Sequence, residues 1–226
     1  MKEFLKTEEP TKKLMTLVGF FVAISLLSNI VAGKIANLGF TYATVAILIY
    51  PLTFILADTI AEVWGKEIAR RTVWTGLSVN FVISLLLTMA VYFPPAPFYE
   101  HQTEFELILG GVPRIVIASL IAYTISQNLD VWMFLTLRKK TKGKHLWLRN
   151  NASTMASQLI DTTIFSFVAF LGQMSVFHIM QIIMTEYTIK ILLSIFGTPL
   201  TYGLVAWARR GSGNHGKPQT LNPAWE

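Results

Sequence analysis

Between Asn150 and Phe170 the chain carries Gln158 and Asp161 in a stretch otherwise apolar enough to enter a bilayer. Residues three apart on a helix share a face, so the amide and the carboxylate point the same way, with Thr154 and Phe165 above and below them. At about 1.5 Å per residue, Asp161 lies ~16 Å along such a helix, near the middle of a hydrocarbon core ~30 Å thick. A carboxylate at that depth costs roughly 2.5–3.5 kcal/mol even on lenient insertion scales, and it needs polar company. Other apolar runs carry the same kind of pair. Asp58 and Glu62 are i, i+4 partners, and so are Glu186 and Lys190, in the order that favours a helical ion pair. Gln127 and Asp130 repeat the i, i+3 spacing, and Asn29 stands near Ser25 and Ser28. Because charges at such positions cannot face lipid, the pairs are expected to converge on one interior or a water-filled cavity.

Carboxylates and amides lining a pocket with aromatic and apolar neighbours suit binding better than bond-making. The histidines, His101, His145, His178 and His215, all fall in loops or in the tail, so no intramembrane nucleophile or interhelical metal site is expected. There is no cysteine, which removes thiolate chemistry and cysteine-based metal sites. No GxxxxGK[ST] occurs, so no ATPase of the chain's own is expected. A carboxylate does suit adjacent N–H donors, such as the N1–H and exocyclic amine of a guanine-like edge, and Gln158 or Gln127 can offer a donor and an acceptor together. Each of these residues also has a purely structural reading. Glu186 and Lys190 would serve as an ion pair within one helix, Asn29 as interhelical glue, and Asp58, Glu62 and Asp130 could reach an interface. Ala152–Ala156 and Ser153–Ser157 are small-residue pairs that let helices pack closely. Asp161 has the poorest structural excuse, because no basic residue is near it in sequence.

The elements that would hold these groups follow from composition. Of 226 residues, 53% are hydrophobic and only 14% charged, against about 25% charged in soluble domains. The excess apolar surface belongs against lipid. The expected fold is an all-α membrane protein with six transmembrane helices in one bundle. The runs are 14–33, 40–64 (interrupted by Pro51), 72–93, 114–137, 150–172 and 181–207 (kinked at Pro199), and the first is read as a retained span. The 94–113 connection, with Phe105, Leu107, Ile108 and Leu109, predicts a short helix on the membrane surface. Residues 1–13 read as a cytoplasmic N-terminal segment, 14–208 as the six-helix transmembrane domain and 209–226 as a disordered cytoplasmic tail. Sixteen of the 19 Lys and Arg lie in the N-terminus, the 65–71 turn, the 138–149 loop and the tail. That asymmetry gives N-in, C-in topology and a reason for the net charge of +6 other than nucleic acid.

Several stretches together resemble one family. They are SNIVAGKI (28–35), YPLTFILADTIAEVWGKEIARR (50–71), FPPAPF (93–98), VPRIVIASLIAYTISQ (112–127), KGKHLWLRNNASTMASQLIDTTIF (142–165) and TPLTYG (198–203). The combination, spanning about 14–208, is similar to the queuosine precursor transporters, also described as vitamin-uptake-like transporters. The resemblance implies a multi-pass protein of the bacterial cytoplasmic (inner) membrane that imports 7-cyano- and 7-aminomethyl-7-deazaguanine for tRNA queuosine salvage. It also implies an architecture like the substrate-binding subunits of energy-coupling-factor vitamin transporters, working without an ATPase partner and without cofactor or metal. Carried over by position, the substrate-binding residues are Asn29, Asp58, Glu62, Arg114, Gln127, Gln158, Asp161, Glu186 and Lys190. On this reading Asp161 and Glu62 hold the base's N–H edge, and Gln158 and Gln127 complete recognition. Arg114 acts near the outer entrance, and Lys190 neutralises a carboxylate when the site is empty. The alternative is a substrate-binding subunit for another small heterocycle; an intramembrane hydrolase and an assembly protein are more distant rivals. A homo-oligomer is compatible with either transport reading.

Overall fold

Apolar segments in lipid must satisfy their backbone groups internally, and helices do so within one segment. The computed structural model describes residues 2–140, 146–196 and 198–210, and helices account for most of them. In chain order these are α1 (Lys2–Val31), α2 (Pro51–Trp64), α3 (Lys66–Tyr92), α4 (Gln102–Leu109), α5 (Val112–Lys140), α6 (Leu146–Phe170), α7 (Val176–Phe196) and α8 (Thr198–Arg209). Between α1 and α2 lie two short antiparallel strands, β1 (Ile35–Asn37) and β2 (Tyr42–Thr44), and a 3-10 turn, Val45–Leu48. Four stretches among the described residues are long and apolar enough to cross a membrane: Thr11–Val31, Lys66–Tyr92, Gln102–Leu137 and Val176–Leu193. The chain is a mostly helical membrane protein. The helix with the polar pair, α6, is outside that set; its sequence is diluted by Ser153, Thr154, Ser157, Gln158, Asp161, Thr162, Thr163 and Ser166.

The second expected span is where the structure departs most from the sequence reading. Residues 40–50 do not continue a helix through Pro51. Asn37 pairs with Tyr42 across a four-residue turn, in which the Asn37 side-chain oxygen accepts from Gly39 N–H at 2.8 Å and Gly39 takes φ 91°. Proline lacks an N–H and fixes φ near −65°, so it suits the first turn of a helix better than its interior. Pro51 accordingly begins α2 and does not kink it. Gly65, at φ 94°, ends α2, and α3 starts at Lys66 rather than at Thr72, so the basic turn residues Arg70 and Arg71 are helical. The sixth expected span is two helices: α7 ends at Phe196 and α8 opens at Thr198, with Pro199 in its first turn. Gly197 lies outside the described residues, as do the middle of the basic 138–149 loop and the tail beyond residue 210. The short helix expected after Pro97 is α4, which exposes Leu107 and Ile108.

The described residues group into two compact units. One comprises α1 up to Ser28, Leu48–Val79 and the residues from Leu193 onward. Its core joins Leu17 and Phe21 of α1 to Leu56 and Ile60 of α2 and Ala69 of α3, with Leu204 of α8 packed alongside. Gly76 makes this packing tight, since a Cβ there would sit 2.7 Å from the Phe21 ring. The other unit comprises Asn29–Ile47 and Asn80–Leu192. Its centre is the antiparallel pair α5–α6. Contacts run from Arg114 against Val168, through Ser126 against Asp161, to Asp130 against Ser157, which fixes both direction and register. On α5 the facing positions step by four, Ala118, Ala122, Ser126 and Asp130. Small residues there let the backbones approach, and between lipid-embedded helices close packing substitutes for water exclusion.

Candidate functional site

The polar groups of the second unit meet along α6. Asp161 receives the Ser126 hydroxyl on Oδ1 at 3.2 Å and the Lys190 ammonium on Oδ2 at 3.3 Å. Lys190 also donates to Thr162 Oγ1 at 2.9 Å, while the Thr162 hydroxyl donates to the backbone oxygen of Gln158 at 2.9 Å. The lysine and aspartate side chains are 10% and 22% exposed, so the pair is largely enclosed and the carboxylate is its more open member. One turn back on α6, Gln158 Oε1 is buried and accepts no hydrogen bond from any described residue. An amide oxygen in that state costs about 1–3 kcal/mol unless a donor reaches it. Ser166 Oγ, two turns further along the same helical stripe, is buried and unpaired in the same sense, as is Gln181 Oε1 on α7. Helical spacing explains the alignment, since Gln158, Thr162 and Ser166 are separated by four residues each.

The other residues singled out by sequence are placed differently. Glu186 is 4% exposed, and its Oε1 accepts from the Thr44 N–H at 3.1 Å and the Thr44 hydroxyl at 2.5 Å. That bond, with a Thr41–Thr185 hydroxyl contact at 2.5 Å, ties the β1–β2 ribbon to α7. The expected Glu186–Lys190 stripe therefore splits: on α7 the carboxylate serves Thr44 while the ammonium serves Asp161 and Thr162. Asn29 donates through Nδ2 to Asn80 Oδ1 at 2.8 Å and accepts from Ser119 Oγ at 2.9 Å, joining α1, α3 and α5. Arg114 donates through Nε to Val168 O at 2.8 Å and through Nη2 to Leu171 O at 2.5 Å. Those carbonyls belong to the end of α6, where helical oxygens lack intrahelical donors and a cation complements the dipole. Gln127 is exposed, while Asp130 accepts from Ser157 Oγ at 3.4 Å. The Gln127–Asp130 face is thus replaced by Ser126–Asp130, which at i, i+4 points more directly at α6. In the first unit Asp58 is exposed and Glu62 accepts from Arg209 Nη2 at 2.7 Å, an exposed ion pair.

Sequence reasoning passed over Asn80, Ser126, Thr162 and Thr44. Asn80 carried a signal, being an amide in the middle of an apolar run and 1% exposed. Ser126 was legible only as one member of the small-residue series on α5. Thr44 had no signal, because its role depends on a ribbon that hydropathy reads as part of a span.

Comparison with known proteins bears on what such an arrangement serves. A family model described as "Putative vitamin uptake transporter" matches residues 44–204. The chain is 34% identical over 189 residues to a probable queuosine precursor transporter of Bacillus subtilis, covering 82% of each. It is 30% identical over 210 residues to the queuosine precursor transporter of Escherichia coli, covering 91% of each. With a probable queuosine precursor transporter of Haemophilus influenzae it shares 30% identity over 171 residues, 73% of this chain and 68% of the relative. No solved structure matches it significantly.

Proposed function

The chain belongs to the putative vitamin uptake transporter family, a family of transporters and not of enzymes, and from that premise we propose that it imports queuosine precursors across the bacterial cytoplasmic membrane. Its substrates are 7-cyano- and 7-aminomethyl-7-deazaguanine, supplied for tRNA queuosine salvage. The observation that carries this reading is Asp161: a largely enclosed carboxylate on the α5–α6 pair, flanked by a buried amide oxygen that no described residue satisfies. A deazaguanine base presents an N–H edge that a carboxylate accepts, and a carboxylate has about four lone-pair sites, of which Ser126 and Lys190 occupy two. Gln158 completes the recognition from one turn away. Glu186, Asn29 and Arg114 act at one remove, holding the ribbon, three helices and the end of α6. The chain crosses the membrane six times with both termini in the cytoplasm, a reading that the Lys and Arg distribution supports. The second crossing needs residues before Pro51 as well, since 14 helical residues rise only about 21 Å. No ATPase partner is needed.

Uptake of labelled 7-deazaguanines in cells unable to synthesise them, with and without this chain, tests the proposal. Accumulation is expected only with the chain present, and equal accumulation without it would refute the reading. Dependence on a co-expressed ATPase module would favour the substrate-binding-subunit alternative.

A further inference from the structure

The Lys190 contacts carry a consequence beyond holding Asp161. The ammonium has a seat of its own on Thr162 Oγ1 at 2.9 Å, shorter than its 3.3 Å reach to Asp161 Oδ2. That seat is preset, because the Thr162 hydroxyl spends its proton on the Gln158 backbone oxygen and leaves its lone pairs facing the lysine. An arriving ligand can therefore share Asp161 without evicting Lys190. The carboxylates that α5 and α7 contribute are occupied: Glu186, one turn earlier on α7, is held by Thr44, and Asp130 on α5 accepts from Ser157. Asp161 and Lys190 together sum to zero charge.

We propose that Lys190 is a built-in counter-cation that sets the charge preference of the site, admitting neutral heterocycles ahead of cationic ones. The inference rests on the reading of Asp161 as the ligand-binding carboxylate. A neutral ligand donates N–H groups to Asp161 and leaves the local charge balanced. A ligand ammonium would bring a second cation into a site where Lys190 already balances the carboxylate, and because that site is largely closed to water the repulsion between the two cations is weakly screened. Lys190 thus discriminates by charge at a carboxylate that, alone, would prefer the cation.

The test uses the purified full-length chain in lipid nanodiscs and two probes of one shape, 7-cyano-7-deazaguanine (neutral) and 7-aminomethyl-7-deazaguanine (a primary ammonium at pH 7). Their affinities are measured by calorimetry. Wild type is expected to bind the neutral base at least about tenfold more tightly, and Lys190→Met and Lys190→Gln to shift that ratio toward the cation by about tenfold or more. Lys190→Arg, which keeps the charge, retains the wild-type order. A wild-type preference for the cation overturns the proposal without any variant, and so does an unchanged ratio in Lys190→Met. Asp161→Asn separates the two levels of inference. If it binds both bases as wild type does, the site assignment itself falls; if it loses both while Lys190→Met keeps the wild-type ratio, only the charge filter falls.

Discussion

Replacing Asp161 by Asn removes one charge and almost no volume, so its effect can be worked out from the contacts. A guanine-type edge gives a carboxylate two hydrogen bonds, each worth about 1.5–3 kcal/mol because the acceptor is ionised. Asparagine keeps one acceptor, now neutral and worth about 0.5–1.5 kcal/mol, and turns an N–H toward the second donor. The net loss is about 2.5–4.5 kcal/mol, or roughly 60- to 1,600-fold in affinity at 1.4 kcal/mol per decade. Folding should suffer less. The remaining oxygen can still accept from Ser126 or Lys190, and Lys190 keeps Thr162. A stability loss of about 1–3 kcal/mol follows from the weakened pair. The assay is initial-rate uptake of labelled deazaguanine in cells lacking its synthesis, with membrane levels of the protein measured by immunoblot. Uptake is expected to vanish while the protein remains in the membrane. Wild-type uptake by Asp161→Asn at equal protein level would refute the placement of the base at this carboxylate.

Three further outcomes test the packing within the two units. Asn80→Leu leaves the buried Asn29 amide without its Oδ1 acceptor, at a cost of about 1–3 kcal/mol; thermal unfolding in detergent should show a lower midpoint, partly recovered in the Asn29→Leu, Asn80→Leu double variant, and strict additivity would dissolve the coupling. Glu186→Gln preserves an oxygen for Thr44, so uptake and stability should stay within about threefold and 1 kcal/mol of wild type; a large loss of uptake in stably inserted protein would show that the charge itself is used. Gly76→Ala places a methyl group 2.7 Å from the Phe21 ring, and overpacking of that kind costs about 1–3 kcal/mol; an unchanged melting midpoint would mean that α1 and α3 do not meet as closely as described.

The sequence alone determined the class of molecule and the places of most of its helices, because hydropathy and length respond directly to what lipid will tolerate. It also offered Asp161 and Gln158 as candidates, since an ionisable group in an apolar run is costly wherever its partner is. It supplied Lys190 as a neutraliser but not the carboxylate it would neutralise. Only the tertiary structure decided that Lys190 serves Asp161, 29 residues away on another helix, while its i−4 neighbour Glu186 turns to Thr44. Helical periodicity says which residues share a face; rotation about each axis and the axial register between helices say which faces meet, and neither is written in a hydropathy pattern. The same limit explains Gln127, which shares a stripe with Asp130 yet stays exposed because the α5–α6 seam runs through Ala118, Ala122 and Ser126. It explains the ribbon at residues 35–44 too: its second strand falls where hydropathy places the start of a span, but its backbone groups are satisfied by pairing with β1 across Gly39, an arrangement that composition cannot distinguish from a helix.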